Sequence, residues 1–508
     1  EPARANAKRS LLSRRLSCAR RRSRCCPIWE PTAPNNANVT NNLGTLLTAS
    51  GPVTASGQYA GGLIGQYGFS PGVSVTTDVT NLSYSSASGS VTSSSSYVGG
   101  LIGAVNGSVF DNLSASGVVL QNAGSRAGGL IGSFSTFYNN WNGNYYGGKL
   151  TNSSATSNVT GGTSGYTGGL IGETSGTSIS STNATGIVTG KGNYVGGLVG
   201  YSGTPISTSN ATGDVTNTSS YTGGLVGVSN ASISDSYASG IVSGSASYTG
   251  GLVGQSTAAI TSSHALGAVI ATGANSERVG GLVGYSTSTV TDSYATGSVS
   301  GAGVSASRMG GLIGYSSSGN VVNSYASGVV TGSGGSSYYI GGLVGSLDSA
   351  TVSDSSYITG SVSGASYVGG LVGVTNSSAV IKGSYTARPV TGTLDYVGGL
   401  VGKLAGTVQA SDFAVGAIPT NGTKYSYAAG AVTGRNDVGG LVGRADTLAS
   451  ISNSYSTGAV TADYNYGGLV GFVTPGAILV NAHYDIGTVV ITGLTPASPA
   501  ARVPVTGL

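Results

Sequence analysis

Catalysis and metal binding draw first on His, Cys, Asp and Glu, and this chain of 508 residues is poor in all four. It holds two histidines (His264 and His483), three cysteines (Cys18, Cys25 and Cys26) and 17 acidic residues. A zinc peptidase needs two imidazoles on one helical turn with a carboxylate base between them, H-E-x-x-H; neither histidine here is followed by Glu. A polysaccharide-cleaving β-helix needs carboxylates or a base clustered on one face. The nearest pairs in sequence are Asp348 with Asp354 and Asp437 with Asp446, and solvated turns account for them better. Calcium-binding glycine-rich repeats need Asp at one phase, whereas the acidic residues here are scattered. The phosphate-loop pattern G-x-x-x-x-G-K-[ST] is absent. These residues predict no enzyme, no metal and no cofactor. The most aromatic stretch, Phe134 to Gly148 (FSTFYNNWNGNYYGG), supplies Phe137, Tyr138, Trp141, Tyr145 and Tyr146 as a candidate surface for a sugar or a protein partner. The alternative for this stretch is a loop that folds back on its scaffold.

The scaffold is a repeat. GGLVG or GGLIG begins at Gly61, Gly99, Gly128, Gly168, Gly196, Gly223, Gly250, Gly280, Gly310, Gly341, Gly369, Gly398, Gly439 and Gly467, fourteen copies in all. Ten of the thirteen steps between copies fall between 27 and 31 residues, and self-similarity at such a period signals a stacked-repeat architecture. The consensus is Y-V-G-G-L-V-G, a polar turn, an apolar pair around one variable residue, S-Y-A, then T-G-x-V-S-G. Three short β-branched segments separated by Gly, Ser, Asn and Asp read as strands, and no window carries a helical apolar period. A propeller blade needs four strands and about 40 residues. The pattern predicts an all-β, right-handed parallel β-solenoid of about fourteen coils with three short strands per coil. One coil buries too few aliphatic side chains to offset the entropy of ordering it, so coils stabilise one another by stacking.

Stacking turns each phase of the repeat into a column. Two residues before each motif stand Tyr59, Tyr97, Tyr166, Tyr194, Tyr221, Tyr248, Tyr339, Tyr367 and Tyr396, replaced elsewhere by Arg126, Arg278, Arg308, Asp437 and Asn465. A column that takes Arg and Asp is solvated, so these tyrosines point outward or line a corner. Strict alternation would put the motif Leu outside. The paired glycines offer a bulge that flips the parity. The expected core is therefore Leu63, Leu101, Leu130, Leu170, Leu198, Leu225, Leu252, Leu282, Leu312, Leu343, Leu371, Leu400, Leu441 and Leu469. A second aromatic column reads Tyr237, Tyr294, Tyr325, Tyr357, Tyr385, Tyr427, Tyr455 and Tyr484, with Asn183, Asn210 and His264 in other coils. Asp235, Asp292, Asn323 and Asn453, two residues earlier, suit an Asx-type turn. Hydroxyls flank G-x-V on an outward face, as at Thr185 and Thr189 or Thr212 and Thr216.

Four regions follow. Residues 1–30 form a basic, Cys-containing leader, read as disordered, with nine of the 21 Lys and Arg residues; the remainder, with 12 basic and 15 acidic, has a net charge of −3. Residues 31–58 form an N-terminal cap, 59–475 the solenoid, and 476–508 a closing coil and linker. No apolar run is long enough to span a membrane, and no secretory signal is visible. The array shows no basic patch for nucleic acid.

The repeated [YV]-x-G-G-L-[VI]-G with S-Y-A-x-G-x-V between copies resembles the GLUG-motif repeats, over about Tyr59 to Tyr484. Such repeats occur in large bacterial surface proteins, notably filamentous-haemagglutinin-like adhesins, and in some immunoglobulin-A-cleaving metallopeptidases. NAHYDIGTVVITG is similar to the segment that follows such arrays in haemagglutinin-like proteins. The resemblance implies a secreted or surface-exposed stalk or adhesin, attaching to cells, matrix glycan or protein, or sister molecules. The family's secretion domain, signal and C-terminal anchor are not in this stretch. Two other readings are an ice- or crystal-binding solenoid, from the ranked hydroxyls, and an extracellular filament subunit, from self-association at open ends.

Overall fold

The structure is a computed structural model that describes residues 47–486 and 491–493, apart from 69–80, 95, 140–143, 147, 246, 274–275, 302–306, 334, 336 and 412–423. The basic leader, residues 31–46 of the expected cap, Trp141 and the stretch after 493 lie outside the described residues.

Every coil is built from the same three apolar segments, two of them bent in the middle. In the coil from Tyr194 the first segment runs as Tyr194–Gly196 and Val199–Ser202, the second as Ile206–Ser207 and Asn210–Ala211, the third as Val215–Asn217. Each segment pairs in parallel and in register with its counterpart one repeat on: Val195 with Thr222, Val199 with Val226, Ala211 with Ala238, Val215 with Val242. The two halves of the first segment form 14-stranded sheets, the bent second segment a 27-stranded sheet, and the third a 15-stranded sheet. The result is an all-β parallel solenoid with no helix among the described residues. At about 4.8 Å per coil, the rod is roughly 65 Å long.

The paired glycines make the first corner. Leu198 N–H and Val199 N–H both donate to Leu225 O, at 2.8 and 3.0 Å. Two amides converging on one carbonyl form a bulge, and the bulge breaks the alternation. Val195, Leu198 and Val199 are in consequence all fully buried. A Cβ at Gly196 would overlap Val199 O, and one at Gly197 would overlap Gly224 O of the next coil and press on the Ala211 methyl. The same contact explains the Ala of S-Y-A, which packs on the bare glycine backbone. The motif leucines from Leu101 to Leu441 are buried at 0%, Leu469 at 5%, and Leu63, in the first coil, is partly buried.

The second corner turns on a left-handed residue. Ser181, Thr208, Asp235, Ser262, Asp292, Asn323, Asp354 and Asn453 have φ between 45° and 54°, and Gly383 takes the same place. Asn, Asp and Gly tolerate this conformation better than other residues. It carries the next residue, the Ser of S-Y-A, inside. There the hydroxyls form a ladder: Ser209 N–H donates to Ser236 Oγ at 3.1 Å, Ser236 N–H to Ser263 Oγ at 3.2 Å, and Ser263 N–H to Ser293 Oγ at 3.1 Å. Each hydroxyl in turn donates to the carbonyl two residues back, as Ser236 does to Ser234 O at 2.7 Å. The column closes through side chains the hydrogen bonds that the bent backbone leaves open.

Two expectations need correction. Tyr357 and Tyr484 do not belong to the outward aromatic column, because Ser356 pairs with Tyr325 while Tyr357 pairs with Ala326, and Tyr484 pairs with Ser456. Both take the inward Ala column, and His483 takes the outward place beside Tyr455. Tyr357 is fully buried, lies over Gly342, and donates to Gly328 O at 2.7 Å. Burial drives its pKa well above the usual phenol value. Asp437 is likewise not solvated: it is 2% exposed, in contact with Arg444 (3.4 Å) and accepting from Asn465 (2.9 Å).

Candidate functional site

The acidic residues singled out by sequence are each engaged by a neighbouring hydroxyl or cation. Asp348 accepts from the Tyr315 hydroxyl at 2.8 Å, and Asp354 pairs with Lys424 at 3.2 Å. Burial, then the bond to Asp348, pushes the Tyr315 hydroxyl up to about 12. Asp437 and Asp446 do come together, bridged by Arg444 at 3.4 Å to each, and Lys403 holds Asp446 at 3.0 Å. Burial raises the Asp437 carboxyl above the ordinary value. Both acids are occupied by cations, an arrangement that fixes a corner of the rod. His264 is sandwiched between Tyr237 (5.1 Å) and Tyr294 (4.6 Å), its ring nearly parallel to both, and burial lowers its pKa. Among the described residues no group of three or more His, Cys, Asp or Glu could hold a metal ion.

The stretch Phe134 to Gly148 leaves the regular coil. Phe134 itself is core, with its ring against Gly148 and Gly176. The chain then forms an antiparallel hairpin, Phe137–Asn139 with Asn144–Tyr146, pairing Phe137 with Tyr146 and Tyr138 with Tyr145. Only the backbone of Phe137, Tyr138, Tyr145 and Tyr146 is described.

Beside the root of this hairpin the rod has a notch that sequence reasoning missed. Along the glycine corner two outward columns face each other. One is the Tyr/Arg column, stacked coil on coil: Tyr166 on Tyr194 at 4.9 Å, Tyr194 on Tyr221 at 5.1 Å, Tyr221 on Tyr248 at 4.6 Å. Arg126 continues the stack between Tyr97 and Tyr166, at 4.9 and 5.3 Å from their ring centres. The other column is the residue after each GLVG. Where it is large it folds across the corner: Tyr201 meets Tyr166 and Tyr194 edge-on at 5.6 and 5.9 Å, and Arg444 covers Tyr396 at 5.6 Å. Where it is Ala104 and Ser133 it cannot reach, and a cavity of about 270 Å³ opens. Gln66 and Tyr59 lie at one end and Glu173 and Ser175 at the other; Asn106, Ser135, Tyr97 and Arg126 complete the lining. Arg126 is paired with Glu173, and Ser135 Oγ donates to Asn106 Oδ1 at 2.6 Å. Burial opposes the Arg126 charge, but the bond to Glu173 and the attraction of its carboxylate and of the flanking tyrosines together hold the guanidinium pKa above its ordinary value. The signal in the sequence was two short residues in adjacent coils of this column, where elsewhere only Ser346 is as short, legible only once the two columns are known to meet.

The family model described as the GLUG motif matches residues 275–300 and 434–461. Among curated proteins and among solved structures, none matches the chain. The matched stretches fall in two coils of the same ladder, each containing the glycine corner at Gly280 and Gly439. The repeat unit is thereby identified: the chain is a parallel β-solenoid that carries the GLUG motif.

Proposed function

We propose that this chain is the stalk or adhesive shaft of an extracellular surface protein and that it works by binding rather than by catalysis. The observation that carries this reading is the rod itself. Fourteen-stranded ladders hold outward columns of Tyr, Thr, Ser and Asn at a fixed spacing, and a hairpin projects from one side. Such a scaffold displays polar groups over roughly 65 Å without any moving part. The GLUG motif, with the resemblance to haemagglutinin-like surface proteins, supports a place of action outside the cell, with cell-surface or matrix molecules or sister copies as partners. The acidic pairs support a structural role, since each acid is engaged by a neighbouring cation or hydroxyl. The test is adhesion: purified chain on a surface should retain cells or matrix material above an albumin control. Absence of binding to cells, matrix and itself would overturn the reading.

A second reading has its own observation. Thr189, Thr216, Ser243, Ser300 and Thr331 lie in one outward rank of the third segment, coil above coil, with Ile270 breaking it. Ranked hydroxyls on a flat sheet order water, and ice binding is the function they would serve. The neighbouring outward column is uneven, with Ile187, Ile241 and Val329 more than 40% exposed. Thermal hysteresis separates the two: an adhesin shows none, an ice binder a concentration-dependent gap.

A further inference from the structure

We propose that the notch at Ala104 and Ser133 is a binding site for a short neutral saccharide. The proposal takes its setting from the surface-binding reading above and adds a site and a ligand class. The lining is polar but not charged overall, because the Arg126 guanidinium is already spent on Glu173. An ionic ligand would have to break that pair. The remaining groups are amides and hydroxyls, from Gln66, Asn106, Ser133 and Ser135, which both donate and accept. That mixture suits a polyol, whose hydroxyls also do both. The apolar part of the lining is Ala104, the buried Phe134 and the stacked rings of Tyr59 and Tyr97.

Strand addition by a peptide is excluded on the wall of the notch. The strand Ile131–Ser135 is paired in register on both sides, with Ile102–Asn106 and with Ile171–Ser175. Its backbone groups are therefore engaged by the neighbouring coils. The cavity, about 270 Å³, lies just below the usual range for ligand sites, which begins near 300 Å³. It is bounded along the rod by Gln66 and Glu173, so it takes a short unit or a chain end rather than a long polymer. The hairpin at Phe137–Tyr146 starts two residues after Ser135, and the coil is thus interrupted at the rim of this notch.

The test fills the notch with a residue that the column already accepts. Tyr201, Tyr285 and Tyr315 occupy the position equivalent to Ser133 in other coils. Ser133→Tyr should melt at or above the parent chain while closing the cavity. The full chain is applied to a printed array of neutral hexose and N-acetylhexosamine oligosaccharides, with heparin and sialylated glycans as charged probes. The strongest neutral binder is then titrated by calorimetry. Neutral binding that falls at least tenfold in Ser133→Tyr, and stays within twofold in Gln255→Tyr of the same column, supports the site. No neutral binding, a preference for charged glycans, or unchanged affinity in Ser133→Tyr overturns it. If Ser133→Tyr does not fold, Ala104→Gln replaces it, since Gln66 and Gln255 show that Gln fits. Cell adhesion that survives in Ser133→Tyr while glycan binding is lost would leave the adhesin reading standing; loss of adhesion in every arm would remove that reading itself.

Discussion

Replacing Gly224 by Ala tests the corner on which the solenoid turns. The added Cβ would overlap Gly251 O in the next coil and lie 2.9 Å from the Ala238 methyl. Backbone cannot yield as a flexible side chain does, so the two coils have to part locally. At that place Leu225 N–H and Val226 N–H share Leu252 O at 2.8 and 3.0 Å, and Gly224 N–H reaches Gly250 O at 3.2 Å. Weakening two or three such bonds, at about 1 kcal/mol each, and loosening two buried leucines, at about 1 kcal/mol each, gives a loss of about 4–5 kcal/mol. Gly335 is the control, because a Cβ there meets nothing within 4 Å. Its change to Ala should stay within about 0.5 kcal/mol. Urea melts compare the two, and limited proteolysis of Gly224→Ala should cut first near residues 224–252, because damage in a repeat array stays with nearest neighbours. Equal small losses for both variants would refute the account of the paired glycines.

Three further outcomes follow from the same columns. Leu225→Asp places a carboxylate in a fully buried site and should cost several kcal/mol. Tyr221→Asp, on the outward stack between Tyr194 and Tyr248, should cost about 1–2 kcal/mol; thermal melts that rank them the other way contradict the burial pattern. Ser293→Ala removes the acceptor of the Ser263 amide inside the rod and should cost about 1–3 kcal/mol, whereas Ser→Ala at half-buried Ser239 should cost little. His264 has a folded pKa below 6.5, so the unfolded chain takes up the proton first and stability falls as pH drops through about 6.5. His264→Tyr, the common residue of its column, should remove that part of the acid sensitivity in melts from pH 7.5 to 5, and an unchanged pH profile would show that His264 contributes none.

The architecture was legible because the period and the three β-branched segments are both written in residue types. Leu at one phase in every copy pointed inward once the glycines were allowed to break alternation. What escaped was of two kinds. Local shifts of a single residue are invisible to a column read by eye: Tyr357 and Tyr484 looked like members of an outward column, and only register places them inside. Asp437 looked solvated because charged residues usually are, yet Arg444 and Asn465 let it be buried. The other kind was contact between phases. The Ser of S-Y-A recurs from coil to coil, but its use as a hydroxyl ladder depends on the left-handed residue before it. From Arg278 onward the Tyr/Arg column also turns left-handed, with φ of 55° at Arg278 and 63° at Tyr396, and from Glu277–Gly280 to Asn436–Gly439 the strand gains one residue. Its strain, about 1–2 kcal/mol per residue, is offset in part by ring stacking. The notch depends on short residues in one column facing a second column across a corner, a relation that only the folded coil supplies.

In the solenoid, residues one repeat apart lie one above the other. Cysteine pairs measure that directly. In a chain with Cys18, Cys25 and Cys26 changed to Ser, Thr216→Cys with Ser243→Cys puts two outward cysteines at register partners in adjacent coils. Parallel neighbours lie about 4.8 Å apart, within the reach of a disulfide. Thr216→Cys with Ile270→Cys sets the same cysteine against a position two coils away, at roughly twice that distance and out of reach. Mild oxidation followed by non-reducing peptide mapping should give a quantitative intrachain disulfide for the first pair and almost none for the second. Equal yields for the two pairs, or no disulfide in the first, would contradict the in-register solenoid.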